Sequence, residues 1–131
     1  MKFKTHILIT FALITACFVQ PGSIAMAETK VSGDEIKTLL AGNTAEGKYI
    51  KWETTHKMYF EEKGKLRRID SLNNKEKGEW YINKLGQLCI IVRKDRCNDV
   101  MKRDDGGYNV YHRGTFKYTF DKIVPGNPYN Q

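Results

Sequence analysis

The feature that most constrains this chain is a succession of short alternating segments after Gly47. "KYIKWE", "HKMYFEE", "KLRRIDS", "KGEWYIN", "QLCIIV", "CNDVMKR", "GYNVYHR" and "TFKYTFDKI" are rich in aromatic and β-branched residues. Turn signals fall between them: "EKGK", "LNNKEK", "NKLG", "RKDR", "DDGG" and "RG". Strands at such regular spacing, with no helical pattern between them, predict an antiparallel meander. Phe116, Tyr118 and Phe120 alternate with Thr115, Lys117 and Thr119, which predicts one buried face and one wet face. With Trp80 and Ile82 they make up the expected core. An open sheet would leave two unpaired edges, and closure removes them. The expected fold is mainly β: a small antiparallel up-and-down barrel of about eight strands, or a strongly curved meander, with one short N-terminal helix.

That helix is signposted in "VSGDEIKTLLAGN". Ser32 stands as N-cap with Glu35 three residues on, and Val31 and Ile36 bracket the cap as a hydrophobic staple. Ile36, Leu39 and Leu40 share a face, and Gly42 is placed to end the helix. At the other end, "VPGNPYNQ" predicts a turn followed by a frayed terminus.

Ahead of the helix, Lys2 and Lys4 precede an apolar run, Ile7 to Val19, and Pro21 and Gly22 break it. The run is short of the roughly 20 residues that span a bilayer. "AMA", Ala25 to Ala27, supplies small residues before a cut ahead of Glu28. This order predicts a secretory signal peptide over residues 1–27 and a single β-rich domain over 28–131. The expected location is periplasmic or secreted, with no transmembrane segment after cleavage. "ITAC" resembles a lipobox, so lipid anchoring at Cys17 is the alternative; Phe18 and Val19 prolong the apolar run past it and favour simple export. Lys2 and Lys4 leave with the signal, so 22 basic residues become 20 against 15 acidic ones, and the formal net charge falls from +7 to +5.

Export also frames Cys89 and Cys97, the two cysteines that stay. An even count in an exported chain reads as a disulfide. Ile90, Ile91 and Val92 favour a strand and "RKDR" a hairpin turn, which brings the two cysteines opposite one another. A redox pair needs two intervening residues rather than seven. A zinc site needs further ligands at ligand spacing, and His56 and His112 do not supply it. A cysteine nucleophile needs a reduced thiol.

The stretches "SGDEIKTLLAGNTAEG", "GEWYINKLGQLCIIV" with a second cysteine after it, "DGGY" and "IVPGNP" occur in that order. In this the chain resembles the small exported bacterial proteins grouped as domain of unknown function 995. The resemblance covers nearly all of the chain from Glu28 on. Gly42-Asn43-Thr44, Trp80 with Ile82, Leu88-Cys89 and Gly126-Asn127-Pro128 carry it. It implies an exported β-rich domain with a disulfide and no established activity. "HKMYFEEKGKLRRIDS" is more basic than the family pattern and has fewer glycines.

No catalytic constellation can be assembled from the residues. Glu61 and Glu62 are adjacent, so on a strand they point to opposite faces. Asp104 and Asp105 precede two glycines, which is turn chemistry. His112 reads as a strand residue. No metal or cofactor is expected, and no nucleic-acid motif is found. What stands out is positive charge on hairpins: Lys65, Arg67 and Arg68 on one, and Arg93, Lys94 and Arg96 on another. The expected function is non-enzymatic: a monomeric envelope protein, macromolecule-binding or inhibitor-like, that meets an envelope macromolecule or anionic surface through those six residues. The alternative is a calycin-like carrier of a small apolar ligand inside the barrel.

Overall fold

A computed structural model describes residues 27–131. The expected signal peptide up to Met26, with Cys17, lies outside the described residues. The strands are β1 (Glu28–Lys30), β2 (Asn43–Lys48), β3 (Thr55–Phe60), β4 (Lys65–Asp70), β5 (Lys75–Ile82), β6 (Leu88–Ile91), β7 (Asp95–Arg103), β8 (Tyr108–His112), β9 (Thr115–Phe120) and β10 (Lys122–Pro125). Among the described residues the one helix, α1, is Gly33–Leu40. From β2 to β9 each strand pairs antiparallel with the next in sequence, and β10 returns to pair with β2.

The expected barrel is therefore present, nearly closed, with ten strands rather than eight. Each difference has a local cause. "TFKYTFDKI" bends at Asp121, so that β9 pairs with β8 and β10 with β2. That bend closes the wall: Asp121 donates to the Glu46 carbonyl at 2.7 Å, and Ile50 donates to the Lys117 carbonyl at 3.0 Å. Gly47 lies against β9 so tightly that a Cβ there would overlap the Thr119 carbonyl oxygen. "KYIKWE" is not the first strand of the meander. β2 begins at Asn43, directly after the helix, and Tyr49–Thr54 form the loop to β3. β1 is a short strand that pairs with Met101–Arg103 of β7, on the edge that β6 occupies lower down.

The helix closes one end. The Ser32 hydroxyl accepts from the Glu35 N–H at 3.2 Å, and Gly42 takes a left-handed φ of 76° where the chain turns into β2. Ile36 and Leu40 are fully buried and join Val31, Ala45, Met58, Phe60, Leu66, Trp80, Leu88, Ile90, Val100, Val110, Tyr118 and Phe120 in one core. Ile82 packs against that core. Phe116 does not, contrary to the alternation. A bulge between Val110 and Tyr111 shifts the β8–β9 register, so Phe116 opposes Tyr111 and stacks on its ring at 5.4 Å on the outer face. The C-terminal tail is held rather than frayed: Arg67 Nη1 donates to the Gln131 carbonyl at 3.0 Å, and the Gln131 N–H donates to Asn127 Oδ1 at 3.2 Å.

Cys89 and Cys97 are directly opposed across the β6–β7 hairpin and are joined by a disulfide. Closing so short a loop stabilises by about 2–3 kcal/mol through the unfolded chain. Replacing both by alanine is expected to lower the urea midpoint accordingly while far-ultraviolet circular dichroism keeps the β signature. An unchanged midpoint would show that the bridge contributes nothing to stability.

Candidate functional site

In an up-and-down sheet, alternate turns gather at the same end. The β3–β4, β5–β6 and β7–β8 turns lie at the end that α1 covers. The β2–β3 loop and the β4–β5, β6–β7 and β8–β9 turns lie at the other end. These two ends differ in charge. The turns beside the helix carry Glu61, Glu62, Asp104 and Asp105 against Lys63 and Lys84. Those at the open end carry Lys51, Arg93, Lys94 and Arg113 against Glu53 alone. The barrel is polarised along its axis, with positive charge at the mouth that no helix covers.

The six basic residues singled out by sequence fall in three places. Lys65 and Arg67 are on the outer face, because Leu66 between them is buried. Lys65 Nζ pairs with Glu79 at 3.1 Å and Arg67 Nε with Glu61 at 3.3 Å, toward the helix end. Arg68 turns inward beneath the mouth. Its Nε donates to Glu76 Oε2 at 2.6 Å, and its guanidinium lies 6.0 Å from the Tyr49 ring centroid. Arg93, Lys94 and Arg96 are exposed on the disulfide-bridged β6–β7 hairpin at the mouth. Arg93 Nη2 reaches the other Glu76 oxygen, Oε1, at 3.5 Å, so one carboxylate links Arg68 below to Arg93 above. The two hairpins thus do not form one patch: the second joins the open end, and the first contributes only Arg68 beneath it. Among the described residues, Lys51, Lys94, Arg96 and Arg113 make no ion pair.

Sequence reasoning missed Lys51 and Arg113, and three apolar residues beside them. Ile50 and Trp52 on the β2–β3 loop and Leu72 on the β4–β5 turn are exposed, Trp52 to 64% and Leu72 to 71%. The signal was legible as parity. Once a meander is assumed, alternate turns share an end, and summing charge by end would have grouped them.

Below the mouth the interior is packed with aromatic rings. His56 lies 4.7 Å from the Tyr49 ring, 5.5 Å from Tyr118 and 6.0 Å from Phe120, between centroids. Its Nε2 donates to the Thr119 carbonyl at 3.0 Å. Its Nδ1 and the Tyr118 hydroxyl are buried with no hydrogen-bond partner. Burial pushes the His56 pKa down to about 4 and the Tyr118 phenol well above its usual range. His112 Nδ1 sits 3.1 Å from the Cys97 carbonyl and 3.2 Å from Asn98 Oδ1, both acceptors, so that nitrogen carries a proton and donates. Neither histidine faces a nucleophile. Glu61 and Glu62 open the β3–β4 turn, and Asp105 accepts from the Gly107 N–H and from Arg103 Nε. Two open grooves mark the outer surface, one by Lys30–Gly33 and Lys84–Gly86 and one by Glu46–Lys48, Thr55–Lys57 and Asp121–Lys122. No helix among the described residues is long and apolar enough to cross a membrane.

No family model, curated protein or solved structure matches this chain.

Proposed function

We propose that this is a non-enzymatic exported protein of the bacterial envelope that binds an anionic macromolecule or surface through the cationic open end of its barrel. The observation that carries the reading is the segregation of charge. The helix-covered end is acidic in its turns, whereas the mouth presents Lys51, Arg93, Lys94, Arg96 and Arg113 against Glu53 and Asp95, with Arg93 exposed to 87%. Like charges gathered on one end attract polyanions and speed their encounter. The disulfide holds the β6–β7 hairpin, so three of the five cations sit on a braced element. The reading includes periplasmic or secreted location after loss of the N-terminal segment. It also includes kinship with domain of unknown function 995, which implies no activity of its own. Carriage of an apolar ligand is less well supported, because Met58, Phe60, Leu66, Leu88, Val100, Val110 and Phe120 fill the interior.

Heparin serves as a generic polyanion to test this. Arg93→Glu with Lys94→Glu is expected to weaken binding by about tenfold or more at 0.1 M salt. Raising the salt should weaken the parent protein in the same way, since exposed charges are screened over about 10 Å at that concentration. Arg67→Glu, on the outer wall, should bind like the parent. Equal affinity for the parent and the double reversal would remove the open end as the binding site.

A further inference from the structure

The cations of the open end are not alone there. Ile50, Trp52 and Leu72 stand among them, exposed, on two turns that β3 holds side by side. The Ser71 N–H donates to the Thr55 carbonyl at 2.9 Å, and the Thr55 N–H donates to Ser71 Oγ at 3.2 Å, so the β4–β5 turn is fastened to the end of the β2–β3 loop. The loop itself is anchored from within. Tyr49 meets the Trp52 ring edge-on at 5.6 Å, and the Tyr49 N–H donates to the Thr54 carbonyl at 2.8 Å. Lys51 Nζ lies 5.7 Å from the Trp52 ring centroid, which puts a cation and an amphipathic ring at one tip.

Single exposed apolar residues are ordinary on protein surfaces. Three at the one end of a barrel whose turns there carry Lys51, Arg93, Lys94 and Arg113 call for a partner that is apolar and anionic together. We propose that the open end docks on an anionic lipid bilayer. Ile50, Trp52 and Leu72 enter the interfacial layer, while Lys51, Arg93, Lys94 and Arg113 lie against the headgroups. The proposal rests on the cationic-end reading above and narrows it to one partner.

The chemistry fits a bilayer better than a protein. Tryptophan prefers the headgroup level, where its ring is buried and its N–H stays wet. Basic residues near an anionic leaflet each add attraction that falls off within a Debye length. Tips on several separate turns can all engage a planar surface at once, whereas a protein pocket takes one or two of them. Neither surface groove is lined by Ile50, Trp52 or Leu72. Both requirements, apolar burial and charge neutralisation, have to act together for a peripheral domain to stay bound.

The experiment is vesicle sedimentation with purified protein starting at Glu28, the range that builds the whole barrel. Vesicles of phosphatidylglycerol mixed with phosphatidylcholine are compared with vesicles of phosphatidylcholine alone. The protein is expected to sediment with the first and not the second. Its fluorescence should shift to the blue as Trp52 leaves water, since Trp80 is already buried. Trp52→Ser with Leu72→Ser should lower the partition coefficient by about tenfold or more, with heparin affinity unchanged and the β signature in far-ultraviolet circular dichroism retained. Arg93→Glu with Lys94→Glu should lower both vesicle and heparin binding. If the tip variant sediments like its parent, or the anionic vesicles do not retain the protein while heparin does, the bilayer proposal fails and the cationic-end reading stands for an anionic polymer or an acidic protein. If heparin and vesicles both fail to bind, both readings fall.

Discussion

Replacing Trp80 by alanine is expected to cost about 3–5 kcal/mol of folding stability, the range seen when a large buried aromatic is truncated. Trp80 is 5% exposed and lies beneath the β3–β4 turn, its backbone N–H donating to the Gly64 carbonyl at 2.9 Å. Its ring meets Phe60 edge-on at 5.4 Å, and its Nε1–H donates to the Glu61 carbonyl at 2.9 Å. Truncation therefore removes the packed ring and one of the two donors to the Glu61 carbonyl, which keeps the Gly64 N–H at 3.0 Å across the β3–β4 turn. Gly78, two residues earlier on the same face, supports this geometry. A Cβ there would overlap the Ile91 carbonyl oxygen, so the β6 backbone lies tight against β5 beside Trp80. Urea unfolding of Trp80→Ala and Trp80→Phe separates the two contributions. The phenylalanine variant should recover most of the packing and none of the hydrogen bond. A loss below about 1 kcal/mol for the alanine variant would mean that this end tolerates a cavity, contrary to the packing costs typical of cores.

How far the sequence disclosed this arrangement depended on which physical rule governed each segment. The meander, the helix and the disulfide follow from local rules. Strand period, capping residues and opposed cysteines need no knowledge of the rest of the chain. Phe116 was misread because alternation is a local rule, whereas a bulge is a decision made by two strands jointly. The displaced first strand has a related cause. Asn43–Lys48 contains Gly47 and no aromatic residue, so it carries little strand propensity, yet it pairs with β10 on one edge and β3 on the other. Gly47 is required there by the approach of Thr119, a contact 72 residues away in sequence that no window would detect. The charged site was legible in part. Arg93, Lys94 and Arg96 were found by composition, but Lys51 and Arg113 stand singly in sequence and are brought together only by the parity of the turns. Arg68 illustrates the opposite error. Beside Arg67 it looks like part of a cationic tip, but strand alternation sends the two guanidinium groups to opposite faces, and Glu76 neutralises the inner one.

The stability of the fold is expected to fall by about 3 kcal/mol as pH drops from 7 to 4, with His56 as the main cause above pH 4.5. The ring is walled in by Tyr49, Tyr118 and Phe120, and this desolvation lowers its pKa from 6.5 to about 4, against the smaller opposing effect of the Thr119 carbonyl. Arg68 nearby lowers it further, and Asp121 raises it. A proton added at Nδ1 would find no acceptor, because that atom has no partner in the fold. In the unfolded chain the same imidazole titrates at its ordinary value. Between those two values the unfolded state holds the extra proton and the folded state does not, so falling pH drives unfolding. The contribution is complete above pH 6.5 and is lost as pH falls toward the folded value. At about 1.4 kcal/mol per pKa unit, the gap corresponds to roughly 3 kcal/mol. His56→Gln keeps a donor for the Thr119 carbonyl but does not titrate. Its unfolding free energy, measured in urea at intervals from pH 7 to 4.5, should be nearly flat where the parent slopes. Equal slopes for the two proteins would show that carboxylates, not the buried imidazole, govern the acid response. Polyanion binding at 10 °C, measured over the same interval wherever the parent remains folded, separates loss of the fold from loss of the site.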